Sequence, residues 1–264
     1  MDRLRDIKRV FHSVLVIGAQ GNIVADQLRK IPGYTDTDIT VMDLDHGLGA
    51  DVIGDEEFLP FAANSFDCVI VNLGLSCVND LPGALAQIRY SLQPDGVFLA
   101  TIFGTQTLEH FRASLMEAEL TLYDAAVNRV APFVDIVDAA ALMQRVQYAL
   151  PVVDQDIITV SYPDIYRLMR DLRGMGLATP LEERHSIHIS RTLFDTADDI
   201  YKKRYGDRDG RLNVPFEIVT MTGWAPDASQ QQPLRPGSAQ TPLAEALDSK
   251  EHSLPEISNP DKGE

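Results

Sequence analysis

Two features near the start of this sequence have the residue types and spacing that an adenosine-containing ligand requires. The first is a turn with Gly18 and Gly21 between an apolar segment and a predicted helix. Glycines let a ligand approach the backbone closely, and the first turn of a helix presents unpaired N–H groups. The second is Asp43, about twenty residues later at the end of the next apolar segment, where a carboxylate can accept hydrogen bonds from ribose hydroxyls. The alternative is a tight strand–helix turn with a solvated aspartate.

Further polar residues follow the next predicted strands. Asp55 and Glu56 form an acidic turn, which can accept a hydrogen bond from an adenine amino group or can be a charged surface turn. Asn72 ends the fourth predicted strand, where it can meet the polar tail of a ligand, because ligands of open parallel sheets bind outside the carboxyl ends of the strands. Asp80 is predicted to cap the following helix. No cysteine or histidine spacing indicates a metal site.

Alternating strands and helices must position these residues. Short apolar segments rich in valine and isoleucine alternate with helical ones, which predicts an α/β fold with a doubly wound, mostly parallel seven-stranded sheet. A largely helical insertion at 163–213, before the last strand, is predicted to cap the sheet edge. The predicted strands are 13–18, 38–42, 52–54, 66–73, 96–103, 152–162 and 216–224, and the main helices are 22–30, 81–92 and 139–150.

Composition limits the other classes of function. The chain has 264 residues, 45% of them hydrophobic, which suits one domain at 1–226 followed by a tail at 227–264 that we predict to be disordered. Its formal charge of −16 argues against nucleic acid as a partner and against adhesion to anionic membranes. No apolar segment is long enough to span a bilayer, and two cysteines without a paired spacing suit a reducing compartment. The expected location is the cytoplasm.

Several motifs in order resemble one family. LPF-x4-FDxV, NL-x4-VNDLP-x2-L and LQPDGVF, between residues 59 and 98, are similar to class I S-adenosylmethionine-dependent methyltransferases. Within them the chain resembles the branch of malonyl-carrier-protein methyltransferases and complex I assembly arginine hydroxylases, and the hydroxylases match best. Their further marks are R-x2-PF-x-D-x2-D from Arg129, YP-x5-MRDLRGMG from Tyr162 and FEI-x4-GWAP from Phe216.

The resemblance implies a methyltransferase-type Rossmann sheet and S-adenosylmethionine as cofactor. Asp43 would then contact the ribose, Asp55 and Glu56 the adenine, and Gly18, Gly21 and Asn72 the methionine end. It also implies a protein or acyl-carrier-protein acceptor, with a complex I subunit as one such acceptor, and the mitochondrial matrix if the source is eukaryotic. Catalytic residues stay unassigned, because methyl transfer depends mostly on positioning and on desolvation of the acceptor.

The sequence also departs from the family pattern. Val16 stands where the family has an acid, Gln20 and Asn22 replace glycines, and Ser76-Cys77 replaces a His-Trp pair. We expect these changes to weaken cofactor binding. Three functions therefore remain open: a methyltransferase acting on a protein or carrier protein, an arginine hydroxylase that assembles respiratory complex I, and a non-catalytic scaffold. The turn GAQGNI is also similar to that of nicotinamide-cofactor dehydrogenases, so by itself it does not select the cofactor.

Overall fold

The computed structural model describes residues 2–18, 22–45, 47, 49–127, 129–130, 133–177 and 190–231, with parts of 237–249. Within these residues the strands are β1 (Ser13–Ile17), β2 (Asp38–Asp43), β3 (Val52–Ile53), β4 (Phe66–Asn72), β5 (Leu92–Phe103), β6 (Ala149–Tyr162) and β7 (Leu212–Trp224). The helices are α1 (Asp2–Asp6), α2 (Ile23–Arg29), α3 (Leu81–Ser91), α4 (Glu109–Tyr123), α5 (Ile136–Arg145), α6 (Ile165–Gly174), α7 (Arg191–Tyr205) and α8 (Leu243–Ala246).

The seven strands form one sheet in the order β3-β2-β1-β4-β5-β7-β6. The five strands from β3 to β5 pair in parallel, whereas β7 runs antiparallel to both β5 and β6. The predicted fold class, a mostly parallel, doubly wound seven-stranded sheet, is therefore confirmed. The strand order changes direction between the neighbouring strands β1 and β4, so the chain leaves their ends toward opposite sides of the sheet. Ligands of such sheets bind in the crevice at these strand ends.

Helices cover both faces of the sheet. On one face α3 and α5 bury Leu85, Ile88 and Met143 against the strands. On the other face α1 and α2 contribute Leu4 and Leu28 to a second apolar cluster. Because β1 and β4 are apolar on both faces, they read in the sequence as continuous apolar segments rather than as alternating ones.

The predicted helical cap is formed by α6 and α7 together with α4. These helices share an apolar cluster with the last residues of β5 and with parts of β6 and β7. Residues 178–189 of the insertion lie outside the described part of the chain. The chain divides into units of 1–228 and 229–264. The smaller unit contains α8, and the predicted disorder of the tail falls largely on residues outside the described ones, so that prediction and the boundary at 226 remain predictions.

Four predicted elements had wrong boundaries. Strand β6 begins at Ala149 rather than at 152 and β7 at Leu212 rather than at 216, and the other two are α5 and β5. The helix predicted at 139–150 ends at Arg145, because Gln147 has a left-handed backbone (φ 64°) and Ala149 already pairs with Trp224 in β7. Strand β5 begins at Leu92 rather than at Gly96. The Pro-Asp-Gly segment of the motif LQPDGVF, which the sequence alone suggests as a turn, is an irregularity inside that strand, where Asp95 has φ 59° and the register with β4 shifts. Long-range strand pairing determined these boundaries, and short sequence windows do not contain that information.

A buried ion pair fastens the chain after α4. The Glu119 side chain is 1% exposed and accepts hydrogen bonds from Arg129 Nε and from the Val127 N–H, the latter at 2.7 Å. Glu119→Ala would leave the guanidinium buried without its counter-charge, so we expect the free energy of unfolding to fall by about 3–5 kcal/mol. The control is Asp26→Ala, which removes the exposed pair with Arg29 and should cost about 0.5 kcal/mol or less. Equal losses in urea denaturation would contradict this account.

Candidate functional site

The candidate site lies at the edge of the sheet where the parallel strands end. Gly18 follows β1, Asp43 ends β2 and Asn72 ends β4. The Gly18 N–H donates a hydrogen bond to the Met42 carbonyl oxygen at 3.0 Å, which places Gly18 beside the end of β2. Three residues that the sequence predicted separately are therefore neighbours. Gly21, the fourth, lies outside the described residues.

Gly18 is positioned where no larger residue fits without adjustment. Its backbone is left-handed (φ 87°), and a Cβ atom there would lie 3.3 Å from the Asn72 carbonyl oxygen and 4.0 Å from the Gly74 Cα. Glycine alone tolerates this combination of conformation and close approach at low cost. The end of β1 and the start of the loop after β4 therefore approach each other through backbone atoms.

The acidic turn after β3 reaches the same place through Glu56. Its side chain is 9% exposed, and a Cβ atom on Gly74 would lie 3.5 Å from Glu56 Oε1. Asp55 is adjacent and accepts a hydrogen bond from the Glu57 N–H at 2.8 Å, which closes the turn. Burial raises the pKa of Glu56, and the nearby carboxylates of Asp55, Asp43 and Glu57 add to that rise. The structure therefore brings both predicted acids to the edge formed by Gly18 and Asn72.

Asn72 is fixed by a threonine that sequence reasoning missed. Thr101 Oγ1 donates to Asn72 Oδ1 at 3.2 Å and accepts from the Leu73 N–H at 3.2 Å. Leu73 itself has a left-handed backbone (φ 60°), which is rare for a bulky residue. Strain of this kind is tolerated where the surroundings fix the chain, and here the β5 hydroxyl does so. No local pattern in the sequence marked Thr101, because its role comes from the register between β4 and β5.

Glu57 is a second residue whose role the sequence did not reveal. Its carboxylate accepts hydrogen bonds from the Asp80 N–H at 2.5 Å and from Asn79 Nδ2 at 3.3 Å. Its carbonyl oxygen accepts from Gln87 Nε2 in α3 at 2.6 Å. Asp80 caps α3 as predicted, with Oδ1 accepting from the Gly83 N–H at 2.9 Å. Glu57 therefore connects the acidic turn to the loop after β4 and holds both in place.

Glu217 was also missed, although its sequence context contained a signal. It is a charged residue in an otherwise apolar predicted strand, and it is 3% exposed in β7. Its Oε2 accepts a hydrogen bond from the Gln106 N–H at 2.7 Å, and its backbone exchanges hydrogen bonds with Thr107. Glu217 thus fixes the loop between β5 and α4, which borders the strand ends.

Asn22 changes the interpretation of the glycine turn. It stands where the family pattern has a glycine, and its backbone has φ 64° and ψ 15°. Asparagine is among the non-glycine residues that adopt this left-handed conformation most readily. The substitution therefore retains the backbone geometry at this position, and the expected weakening at Asn22 is smaller than its side-chain size suggests.

A cavity of about 340 Å³ opens next to Asn72, between α1 and the sheet. Its apolar wall includes Leu4, Ile70 and Leu99, and its polar groups include Thr101 and Thr220. Among the described cofactor candidates Asn72 lines the cavity, whereas Gly18, Asp43, Asp55 and Glu56 do not. A second group bound there would be next to one bound at the strand ends.

The buried Glu56 gives a prediction for stability. Since folding raises its pKa, the native protein binds this proton more tightly than the unfolded chain does, and the charged form is unfavourable at neutral pH. We expect Glu56→Gln to increase the free energy of unfolding at pH 7. The increase should shrink as the pH falls through the native pKa and vanish below the unfolded value of about 4.3. Denaturant titrations across this range test it, and a pH-independent difference would contradict it.

Comparisons with known proteins agree with this geometry. A methyltransferase domain model matches residues 22–100. The chain is 36% identical to the mitochondrial arginine-hydroxylase NDUFAF5 of Danio rerio over 92% of this chain and 78% of that protein. It is 31% identical to the malonyl-[acyl-carrier protein] O-methyltransferase of Xylella fastidiosa strain M23, over 66% of this chain and 57% of that protein.

The solved structures give the same fold. A Bacillus halodurans C-125 protein described as a methyltransferase aligns with a TM-score of 0.54, at 14% identity, over 86% of this chain and 97% of its own. Among the described residues, no helix is long and apolar enough to cross a membrane.

The residues at the strand ends also fit S-adenosylmethionine. Gly18 presents backbone without a side chain at a point that a Cβ atom would occupy. Groups that can accept hydrogen bonds from hydroxyl and amino groups lie next to it. The chain belongs to the class I S-adenosylmethionine-dependent methyltransferase-fold family that includes the NDUFAF5 arginine hydroxylases and the malonyl-carrier-protein methyltransferases, and S-adenosylmethionine is its cofactor.

Proposed function

We propose that this chain binds S-adenosylmethionine at the ends of β1, β2 and β4 and uses it to modify an arginine-bearing segment of a partner protein. The observation that carries the proposal is the close approach of Gly18 to the Asn72 carbonyl oxygen, with the Glu56 carboxylate beside Gly74 in the loop that follows. Asp43 would accept hydrogen bonds from the ribose hydroxyls. Asp55 and Glu56 would accept from the adenine amino group, and Gly18, Gly21 and Asn72 would lie along the methionine end.

The cofactor supplies an activated carbon on a positively charged sulfur. The chain's part is to hold that carbon against the acceptor and to exclude water. In our proposal the acceptor side chain enters the cavity beside Asn72, where Ile70 and Leu99 remove water and the hydroxyls of Thr101 and Thr220 orient it. Thr101 would contribute both to the acceptor cavity and to the cofactor site, because its hydroxyl also donates a hydrogen bond to Asn72.

Two observations favour an arginine-bearing protein over an acyl carrier protein as acceptor. The relative named as an arginine hydroxylase matches 92% of this chain, whereas the carrier-protein methyltransferase matches 66%. The net charge of −16 also favours association with a basic segment over a neutral or acidic one. Methylation of a carrier protein is the second candidate function. We place the reaction in the cytoplasm, or in the mitochondrial matrix of a eukaryotic cell.

Cofactor binding is the first test. Calorimetric titration with S-adenosylhomocysteine should show a single site, and Asp43→Ala should weaken it about tenfold or more, since a hydrogen bond involving a charged group contributes about 1.5–3 kcal/mol. The matched control is Asp38→Ala, which removes an exposed carboxylate from the opposite end of the same strand and should leave affinity unchanged. Absence of binding by the wild-type chain would refute the proposed enzyme and favour the scaffold function.

The Gly18 contact gives a second test. Gly18→Ala should lower the free energy of unfolding by about 1–2 kcal/mol from its left-handed backbone, and should also weaken S-adenosylhomocysteine binding by displacing the Asn72 carbonyl. Gly210→Ala is the control, because Gly210 has φ 71° but nothing within 4 Å of its Cβ position. Gly210→Ala should lower the free energy of unfolding by a similar amount and leave the affinity for S-adenosylhomocysteine unchanged. Equal affinity losses in both variants would contradict the assignment of Gly18.

The acceptor is tested with purified chain, cofactor and two substrates, a basic arginine-containing peptide and a malonylated carrier protein. Mass spectrometry of each product shows whether a methyl group or an oxygen atom was added. Modification of the peptide alone supports our proposal. Modification of the carrier protein alone would replace it with the second candidate.

A further inference from the structure

Strand β6 is an unusually long free edge of the sheet. It runs from Ala149 to Tyr162, fourteen residues, and within the described part of the chain it pairs with β7 on one side only. The opposite edge, β3, has two residues. Native proteins usually keep edge strands short or covered, because the outward N–H and C=O groups of an edge pair readily with another chain. On β6, alternate residues direct these groups away from β7.

The side chains of β6 leave this edge accessible. Residues 155–159 are exposed without interruption, so neither face of the strand is covered there. Val152, Ile157 and Ile158 are 55%, 44% and 52% exposed, although β-branched aliphatic side chains normally gain stability from burial. The middle of β6 therefore combines unpaired backbone with apolar side chains that lack a covering element among the described residues.

Charge identifies the kind of partner. Asp154 and Asp156 lie on the same face of β6, between Val152 and Ile158, because side chains of a strand alternate between its faces. Asp154 is paired with Arg3 of α1 at 2.5 Å. Among the described residues no basic side chain lies within ion-pair distance of Asp156, whose carboxylate accepts only the adjacent Ile157 N–H at 2.9 Å. This edge therefore offers negative charge between two apolar positions.

A second copy of the chain is a poorer occupant. Antiparallel self-pairing centred on residue 155 would set Asp154 against Asp156 of the second copy, and centring it on either aspartate would set that residue against itself. Like charges directly opposite one another are destabilising in a sheet. Each copy also has a formal charge of −16, which opposes association at long range.

We propose that β6 is a docking edge at which an extended, basic segment of a partner protein adds as an eighth strand. Backbone hydrogen bonds to the free edge would provide affinity, as in other cases of strand addition. Lysine or arginine in the segment would meet Asp156, an apolar residue two positions away on one side would cover Ile158, and an apolar residue four positions away on the other side would cover Val152. The surface consists of residues 152–158 and is separate from the cofactor residues, so this inference does not depend on the proposed function.

The test uses the full chain and a labelled ten-residue peptide whose one face reads valine, lysine, lysine, valine at alternate positions, to lie opposite Val152, Asp154, Asp156 and Ile158, with threonine at the other positions. Fluorescence anisotropy at physiological salt should show saturable binding, and a peptide with glutamate in place of lysine should not bind. Asp156→Lys should weaken binding of the basic peptide about tenfold. Asp199→Lys, the same charge change at an exposed position of α7, should have little effect. Equal losses in both variants would show a general charge effect and overturn the proposal.

Methylated peptides separate strand addition from electrostatic attraction. Two versions of the basic peptide carry N-methyl groups on alternate residues, one on the odd and one on the even positions. If the peptide adds to β6, only the version whose hydrogen-bonding N–H groups are blocked loses affinity. Equal binding of both versions would overturn the proposal, as would a β6-dependent dimer of the free chain in sedimentation velocity or the failure of the unmodified peptide to bind.

Discussion

The close approach of Gly18 to the Asn72 carbonyl oxygen is the constraint on which the candidate site depends. Two parallel strands of the sheet end beside each other there, and their connecting loops leave in opposite directions. A Cβ atom on residue 18 would lie 3.3 Å from that oxygen, so a larger residue would push the loop after β4 outward. This loop follows Asn72 and leads into α3. The absence of a side chain at Gly18 therefore determines where several residues lie.

Other contacts hold Asn72 and the neighbouring loops in place around this close approach. Thr101 holds Asn72 from β5, and Glu57 joins the acidic turn to the start of α3. Both act mainly on backbone or amide groups, which suits a site that must present backbone and neutral polar atoms to a ligand. Glu56 is the exception. Burying its carboxylate near three others is unfavourable at neutral pH, and an unfavourable charge at a strand end is typical of residues retained for function.

The sequence predicted those parts of the fold and site that depend on local patterns. The acid ending β2 and the Asp80 cap depend on residues close together in the chain, and the structure has both as expected, whereas residues 19–21 of the glycine turn lie outside the described part of the chain. It could not predict what depends on strand pairing. The early start of β6, the hydroxyl of Thr101 and the buried carboxylate of Glu217 are determined by neighbours that are distant in sequence, and only Glu217 was marked by an unexpected charge in an apolar strand.

The departures from the family's glycine turn have unequal consequences because backbone and side chain contribute differently there. At position 22 the backbone is left-handed, with φ 64°, a conformation that glycine adopts freely and asparagine more readily than most other residues. At position 16 the family acid would supply a carboxylate, whereas Val16 is 1% exposed within the apolar cluster under α1 and α2. Asn22 is compatible with the left-handed backbone of the turn, whereas Val16 replaces a carboxylate with an apolar side chain. Of these two substitutions, Val16 should therefore account for more of any loss of cofactor affinity than Asn22.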